Sequence, residues 1–157
     1  MNDTDLKFLQ AAIDVSRKSR ENGNHPFGAI LVDPQGNILL EAQNTVVTDH
    51  DCTGHAETNL MRQASQQFDN EQLAGCTVYT SAEPCPMCSG AIFWGNVRRV
   101  VYGLGIELLY DIIGNHPENP SLNVHCHKVL SKGPWPIEVI GPALEAEASQ
   151  AHEGFWT

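Results

Sequence analysis

The sequence predicts an α/β fold: a three-layer α-β-α sandwich around a mixed five-stranded sheet. Three observations carry this. Apolar residues alternate between helical and strand-like periods along the chain, and the elements read in the order α-β-β-α-β-α-β-α-β-α. One strand pair is joined by a tight turn, which makes it antiparallel. The later strands are separated by helices, which requires crossover connections, parallel pairing and helices on both faces. The 157 residues are about one domain's worth of chain, and no repeat, low-complexity tract or linker divides them, so residues 1–157 are expected to form a single domain.

Taken in order, Leu6, Leu9 and Ile13, flanked by Phe8, Ala12 and Val15, put a broad apolar stripe on a first helix. Thr4 or Asp3 is the expected cap, and Gly23 the stop. Phe27–Val32 is a compact apolar run, and Ile38–Leu40 resumes it after Asp33-Pro34-Gln35-Gly36, which reads as a hairpin. A helical pattern begins around His55 and runs through Leu60, Met61 and Ala64. Cys76–Thr80 reads as a buried strand, Met87–Trp94 as a short helix ended by Gly95, and Val97–Tyr102 as a strand ended by Gly103. Ile106–Ile113 looks helical, Ile137–Ile140 is a last strand, and Ala143–His152 a last helix. Between them, Asn115–Lys132 carries Pro117 and Pro120 and reads as a long loop with a short strand at Val124.

Charge and cysteine usage restrict the function. Acids outnumber bases 19 to 9, for a net charge of −10. Such a surface repels phosphate backbones and excludes a basic nucleic-acid coat protein. The opening residues Met1–Glu21 mix acids and bases without the apolar core of a signal peptide, and no uncharged apolar run approaches the ~20 residues that span a bilayer. Cys52, Cys76, Cys85, Cys88 and Cys126 are an odd set without a disulfide-framework spacing. A reducing, cytoplasmic location is expected, with grouped cysteines read as metal ligands or catalytic groups.

Two short motifs stand at the starts of two of these helices. The first is His55-Ala56-Glu57, entered through Cys52-Thr53-Gly54. The second is Pro84-Cys85-Pro86-Met87-Cys88, entered from a strand through Ser81-Ala82-Glu83. Pro86 suits a first helical turn, which sets Cys85 at the helix entrance and Cys88 one turn on, facing the same side. One imidazole and two thiolates form the ligand set of a zinc ion with an open fourth position. Helix N-termini favour thiolate over thiol. Glu57, two residues past one ligand, is placed to act as a base without occupying the metal. A structural zinc knuckle or a redox Cys-x-x-Cys pair explains neither the His-x-Glu element nor the flanking prolines.

His-x-Glu followed by Pro-Cys-x-x-Cys is the signature of the zinc nucleobase deaminases. The chain resembles the cytidine-deaminase-like superfamily, in the branch that holds bacterial guanine deaminase, fungal cytosine deaminase and the tRNA adenosine deaminases. The resemblance runs from His25 to Tyr102 and rests on Pro26-Phe27-Gly28-Ala29, Asn44, the His55 motif, Thr80-Ser81-Ala82-Glu83 and Pro84–Cys88. It implies one Zn²⁺ held by His55, Cys85 and Cys88, with Glu57 moving a proton from water to the ring nitrogen and then to the departing amine. It also implies that Asn44 hydrogen-bonds the base, that the backbone N–H groups of Ala56 and Cys85 line the pocket, and that Phe27 walls it. A homodimer is the usual assembly of this branch. In it the C-terminal segment often covers the site, which makes Trp156 or Phe155 a lid candidate.

Other residues read differently. Glu83 is a candidate to orient the metal loop. His125-Cys126-His127 invites a second metal site, but no further ligand stands at a suitable spacing. Cys52 and Cys76 read as small buried residues. Substrate identity divides between a small free base or nucleoside, adenosine within a tRNA loop, and no substrate at all in a zinc-stabilised interaction module. The bases, Lys7, Arg17, Lys18, Arg20, Arg62, Arg98, Arg99, Lys128 and Lys132, form no basic, aromatic-rich surface, which favours the small molecule over nucleic acid. No membrane partner is expected. Guanine is the first expectation, then cytosine or guanosine. After Tyr102 the usual phenylalanine-plus-acids stretch is missing, and Tyr110 with Asp111 are the candidates to replace it.

Overall fold

A computed structural model describes residues 1–157. The elements are α1 (Asp3–Glu21), β1 (Gly28–Val32), β2 (Ile38–Gln43), α2 (Ala56–Gln67), α3 (Asn70–Ala74), β3 (Thr77–Ala82), α4 (Pro86–Trp94), β4 (Arg99–Leu104), α5 (Ile106–Ile113), α6 (Cys126–Leu130), β5 (Glu138–Ile140) and α7 (Glu145–Gln150). No helix is long and apolar enough to cross a membrane.

The sheet order is β2-β1-β3-β4-β5. β1 runs antiparallel to β2 and to β3, while β3, β4 and β5 are parallel. The sheet is therefore mixed and five-stranded, with helices on both faces. Alternation along β1 sends Ala29 and Leu31 to one face and Ile30 and Val32 to the other. The first face buries Leu60, Met61 and Ala64 of α2, Ile92 of α4, and Cys126 and Leu130 of α6. The second buries Leu9, Ala12 and Ile13 of α1, Leu109 and Ile113 of α5, and Ala148 of α7. The backbone of α1 lies so close to β1 that a Cβ on Gly28 would fall 2.5 Å from the Ser16 nitrogen.

Four local readings need correction. The cap of α1 is Asn2, not Thr4 or Asp3: its side chain accepts from the Asp5 N–H at 2.8 Å, and Asp5 reciprocates. Several residues at this start can cap, and tertiary contact selects among them. Asp5 is buried because its carboxylate also meets Arg99 and the Tyr79 hydroxyl, which fixes the helix start. The second correction is α3, a single turn opened by an Asp69–Gln72 capping box, where no helix was expected. The third lies in Asn115–Lys132. Val124 is not in a strand, and His125 instead caps α6, so His125, Cys126 and His127 do not alternate about a strand. Cys52 is exposed, unlike Cys76, because it lies in the loop before α2.

Candidate metal centre and pocket

The site forms where four chain segments reach one edge of the sheet. β3 runs toward this edge and delivers the loop that carries Cys85, and antiparallel β1 starts there after Phe27. β2 ends there before Asn44, and α2 points its N-terminus inward from His55. Gly54 lets the entering chain pass close by: a Cβ there would lie 2.7 Å from the Thr45 hydroxyl. His55 is the N-cap of α2 and Cys85 the N-cap of α4, and neither has a side-chain capping bond. Both helices thus aim unpaired N–H groups and positive dipole ends into one place.

His55 Nδ1 lies 3.5 Å from Cys85 Sγ and 3.5 Å from Cys88 Sγ, and the three donor atoms all lie within 4.8 Å of one another. A tetrahedral zinc with bonds of about 2.0 Å to nitrogen and about 2.3 Å to sulfur separates those donors by roughly 3.5 Å. The donor set therefore fits the metal in type, number and spacing. A hydrogen bond from Cys88, and then one with His55, hold Cys85 well below the usual thiol range, in the direction of the thiolate. That hydrogen bond with Cys85 raises His55 in turn. Burial pushes the Cys88 thiol up, and the Thr58 hydroxyl stands 3.2 Å from its sulfur.

Glu57 is 6% exposed. Burial, and then the charge of Cys85 beside it, raise its carboxyl above the usual range. The Thr80 hydroxyl donates to its Oε1 at 2.9 Å and holds it in place. The sequence marks Thr80 only as part of a motif. Its role follows from strand geometry that pairs Thr80 with Ala29 beneath α2.

These groups floor a cavity whose empty space, mouth included, is about 530 Å³. Phe27, Asn44, His55, Ala56, Glu57 and Cys85 all line it. Val46 N–H donates to Asn44 Oδ1 at 3.0 Å, leaving the Asn44 amide hydrogens without an acceptor in the chain. A further wall consists of Ile106, Leu109 and Tyr110 of α5 and of Asn119. Tyr110 therefore belongs to the pocket, whereas Asp111 is exposed. Trp156 is not among the lining residues. It packs on His25 at 5.0 Å and on Phe27 at 6.4 Å between ring centroids, and its Nε1 donates to His152 at 2.9 Å.

Glu83 ties this wall to the metal loop. Its Oε1 accepts from Ile106 N–H at 3.1 Å, and its Oε2 accepts from Cys126 N–H at 2.9 Å and meets His125 Nδ1 at 3.1 Å. The orienting role expected of Glu83 thus falls on the starts of α5 and α6. His125 is taken up by Glu83 on one side and Glu107 on the other, and no second group of metal donors forms around it.

Comparison with known proteins agrees with this geometry. A family model described as "Cytidine and deoxycytidylate deaminase zinc-binding region" matches residues 2–104. The "Probable cytosine deaminase" of Schizosaccharomyces pombe is 43% identical over 156 residues, covering 99% of this chain and 94% of that protein. Guanine deaminase of Bacillus subtilis is 43% identical over 96 residues, 60% of this chain and 61% of that one. A crystal structure of guanine deaminase from that species superposes with a TM-score of 0.64 at 30% identity, covering 99% of this chain and 96% of that one. A tRNA-specific adenosine deaminase of Buchnera aphidicola is 36% identical over 159 residues, 99% of this chain and 90% of that protein.

Proposed function

The chain belongs to the cytidine and deoxycytidylate deaminase zinc-binding family, and from that premise we propose that it hydrolyses the amino group of a small free nucleobase, acting as one deaminase domain. The family is one of zinc-dependent hydrolases of C–N bonds. The observation that carries the reading is a buried carboxylate, Glu57, beside a three-donor set on the floor of a walled cavity.

His55, Cys85 and Cys88 would hold the zinc. Bound there, zinc supplies a Lewis acid that makes water nucleophilic near neutral pH. Glu57 accepts one proton from the attacking water and gives it to the ring nitrogen, then passes the second, from the oxygen now on the carbon, to the departing amine, so that C–NH₂ and water become C=O and ammonia. Thr80 fixes the carboxylate during both transfers. The N–H groups at the starts of α2 and α4 place positive potential where negative charge develops on the attacked carbon's substituents. Phe27, Ile106 and Leu109 hold the ring flat between apolar walls and exclude bulk water.

One observation supports a free base over adenosine in tRNA: the net charge of −10 opposes a polyanion. Between bases, guanine is the expectation from the motifs of the first hundred residues. Likeness to the S. pombe protein along nearly the full chain, far wall included, supports cytosine as the first substrate to assay and guanine as the second. The proposal includes a cytoplasmic homodimer. Trp94, 81% exposed at the end of α4 beside Met61 and Arg62 of α2, offers apolar surface for a second copy.

The test is ammonia release from zinc-loaded protein over a panel of amino-pyrimidines, amino-purines, their nucleosides and tRNA transcripts. Turnover of a free base that disappears in Glu57→Ala with zinc retained is the expected result. Inosine formation in tRNA at concentrations where no base reacts would overturn it.

A further inference from the structure

The cavity contains few polar side chains, and most are already committed. His55 and Cys85 belong to the metal donor set, and Glu57 is held by Thr80. Both oxygens of Glu83 are taken by Ile106, Cys126 and His125. The Tyr110 hydroxyl donates to the Leu122 carbonyl at 3.2 Å and accepts from the Leu122 N–H at 3.0 Å. Two lining side chains keep hydrogen-bonding capacity. One is Asn44, with its amide hydrogens free. The other is Asn119, whose side-chain amide makes no hydrogen bond within the chain.

Asn119 is half-buried in the loop after α5, and the surrounding contacts hold that loop against the cavity. Its own N–H donates to the His116 carbonyl at 3.0 Å, and the His116 ring packs edge-on against Trp156 with centroids 5.4 Å apart. On the other side the Tyr110–Leu122 pair pins the chain. Beside Asn119, the Glu118 carboxylate stands 4.0 Å from His25 Nε2, a buried nitrogen without a hydrogen-bond partner. An amide free to donate and accept, held at the wall facing the reaction centre, is complementary to a group that also does both. In a nucleobase that group is the lactam edge, a ring N–H next to C=O.

We propose that Asn119 is a specificity-determining residue that reads the lactam edge of the base from the wall opposite the metal centre, a proposal that rests on the free-base reading above. Asn44 anchors the ring near the metal by donation alone, whereas Asn119 selects among rings. Bases that lack the carbonyl are rejected because the half-buried amide would be left unpaired. The C-terminal aromatics act through Asn119: Trp156 supports the loop that carries it and need not touch the base.

Equilibrium binding separates this from the deaminase reading. Pyrimidin-2-one has the lactam edge and no amine to lose, and pyrimidine lacks the carbonyl. Both are titrated calorimetrically into zinc-loaded protein. The wild type should bind pyrimidin-2-one more tightly, and Asn119→Ala should lose about 10- to 100-fold of that affinity while binding pyrimidine as before. Asn119→Asp, which cannot donate, should lose a similar amount, and Asn119→Gln should recover part of it. Equal losses for both ligands, as a merely structural role would give, or an unchanged preference in Asn119→Ala, overturns the proposal. If the Asn119-dependent preference holds but no base releases ammonia, the deaminase reading alone fails.

Discussion

The floor of the cavity, from Phe27 to Cys85, stands on regular elements, whereas the far wall, from Ile106 to Asn119, hangs from side chains. On the floor, β1, β3 and α2 are neighbours in a continuous hydrogen-bonded scaffold, and the reactive groups sit at strand ends and helix N-termini. The wall has one two-turn helix, α5, and then a loop and the single-turn α6. What keeps them in place is Glu83, the Tyr110–Leu122 pair and an aromatic cluster around Trp156. Atoms that perform the chemistry must be held to a fraction of an ångström, and secondary structure does this most rigidly. A wall that chooses substrates is free to vary, and loops vary at little cost to the core.

The largest expected effect lies on the floor. Glu57→Gln should keep its zinc and its fold while kcat falls by about a thousandfold or more, read as ammonia release beside metal analysis. Cys88→Ala should lose the metal itself. Its activity should fall to background with less than one zinc per chain, while the sheet keeps its circular dichroism because the core does not depend on the ion.

Glu83→Ala breaks the link between floor and wall. It strands two buried N–H groups and the His125 ring, and should destabilise the protein by about 2–4 kcal/mol in urea unfolding. Because Ile106 then loses its anchor, kcat/KM should fall by about 10- to 100-fold with zinc content unchanged. If Glu83→Ala instead sheds zinc, the carboxylate serves the floor, and floor and wall are one unit.

Acid should separate the two regions more gently. Burial pulls His152 down to about 4, and burial shifts His25 the same way. An unfolded histidine takes its proton near 6.5. The unfolded chain therefore binds more protons between about 6.5 and 4. The contribution of His152, at most about 3 kcal/mol, is complete above 6.5 and is lost as pH falls toward 4. His152 accepts from Trp156 Nε1 only when neutral, so loosening should begin at the C-terminal cluster. His152→Gln should flatten the dependence of Tm on pH in that window.

Asp5, far from the pocket, marks the opposite limit. Arg99 holds its carboxyl down to about 2, with Tyr79 assisting. The unfolded value is about 3.9, so this contribution, about 2 kcal/mol, is intact above pH 4 and is lost only as pH drops from 4 toward 2. Asp5→Asn should lower Tm at pH 7 and leave the substrate ranking unchanged. A change in ranking would mean that α1 also shapes the wall.

The floor was legible because its chemistry is local. His55-Ala56-Glu57 and Pro84–Cys88 each lie at one helix start, so spacing alone places their side chains, and Asn44 and Phe27 followed from resemblance. α3 went unread although Asp69 and Gln72 spell a capping box, because a five-residue helix leaves no apolar period. α6 was hidden by Pro117, Pro120 and two histidines that read as loop. Asn119 left no local signal at all, since nothing in its own segment distinguishes it from a turn residue.

By itself the sequence determined the three-layer architecture, the metal donor set and the carboxyl group beside it, because periodicity and short-range spacing specify which face a residue occupies. Only the tertiary structure decided the strand order β2-β1-β3-β4-β5, the choice of Asn2 over its neighbours as a cap, and the partners of Glu83. It alone brought Asn119 into one cavity with Asn44. These depend on contacts between residues far apart in the chain, and the free energy of such contacts resides in the packed assembly, not in any segment of it.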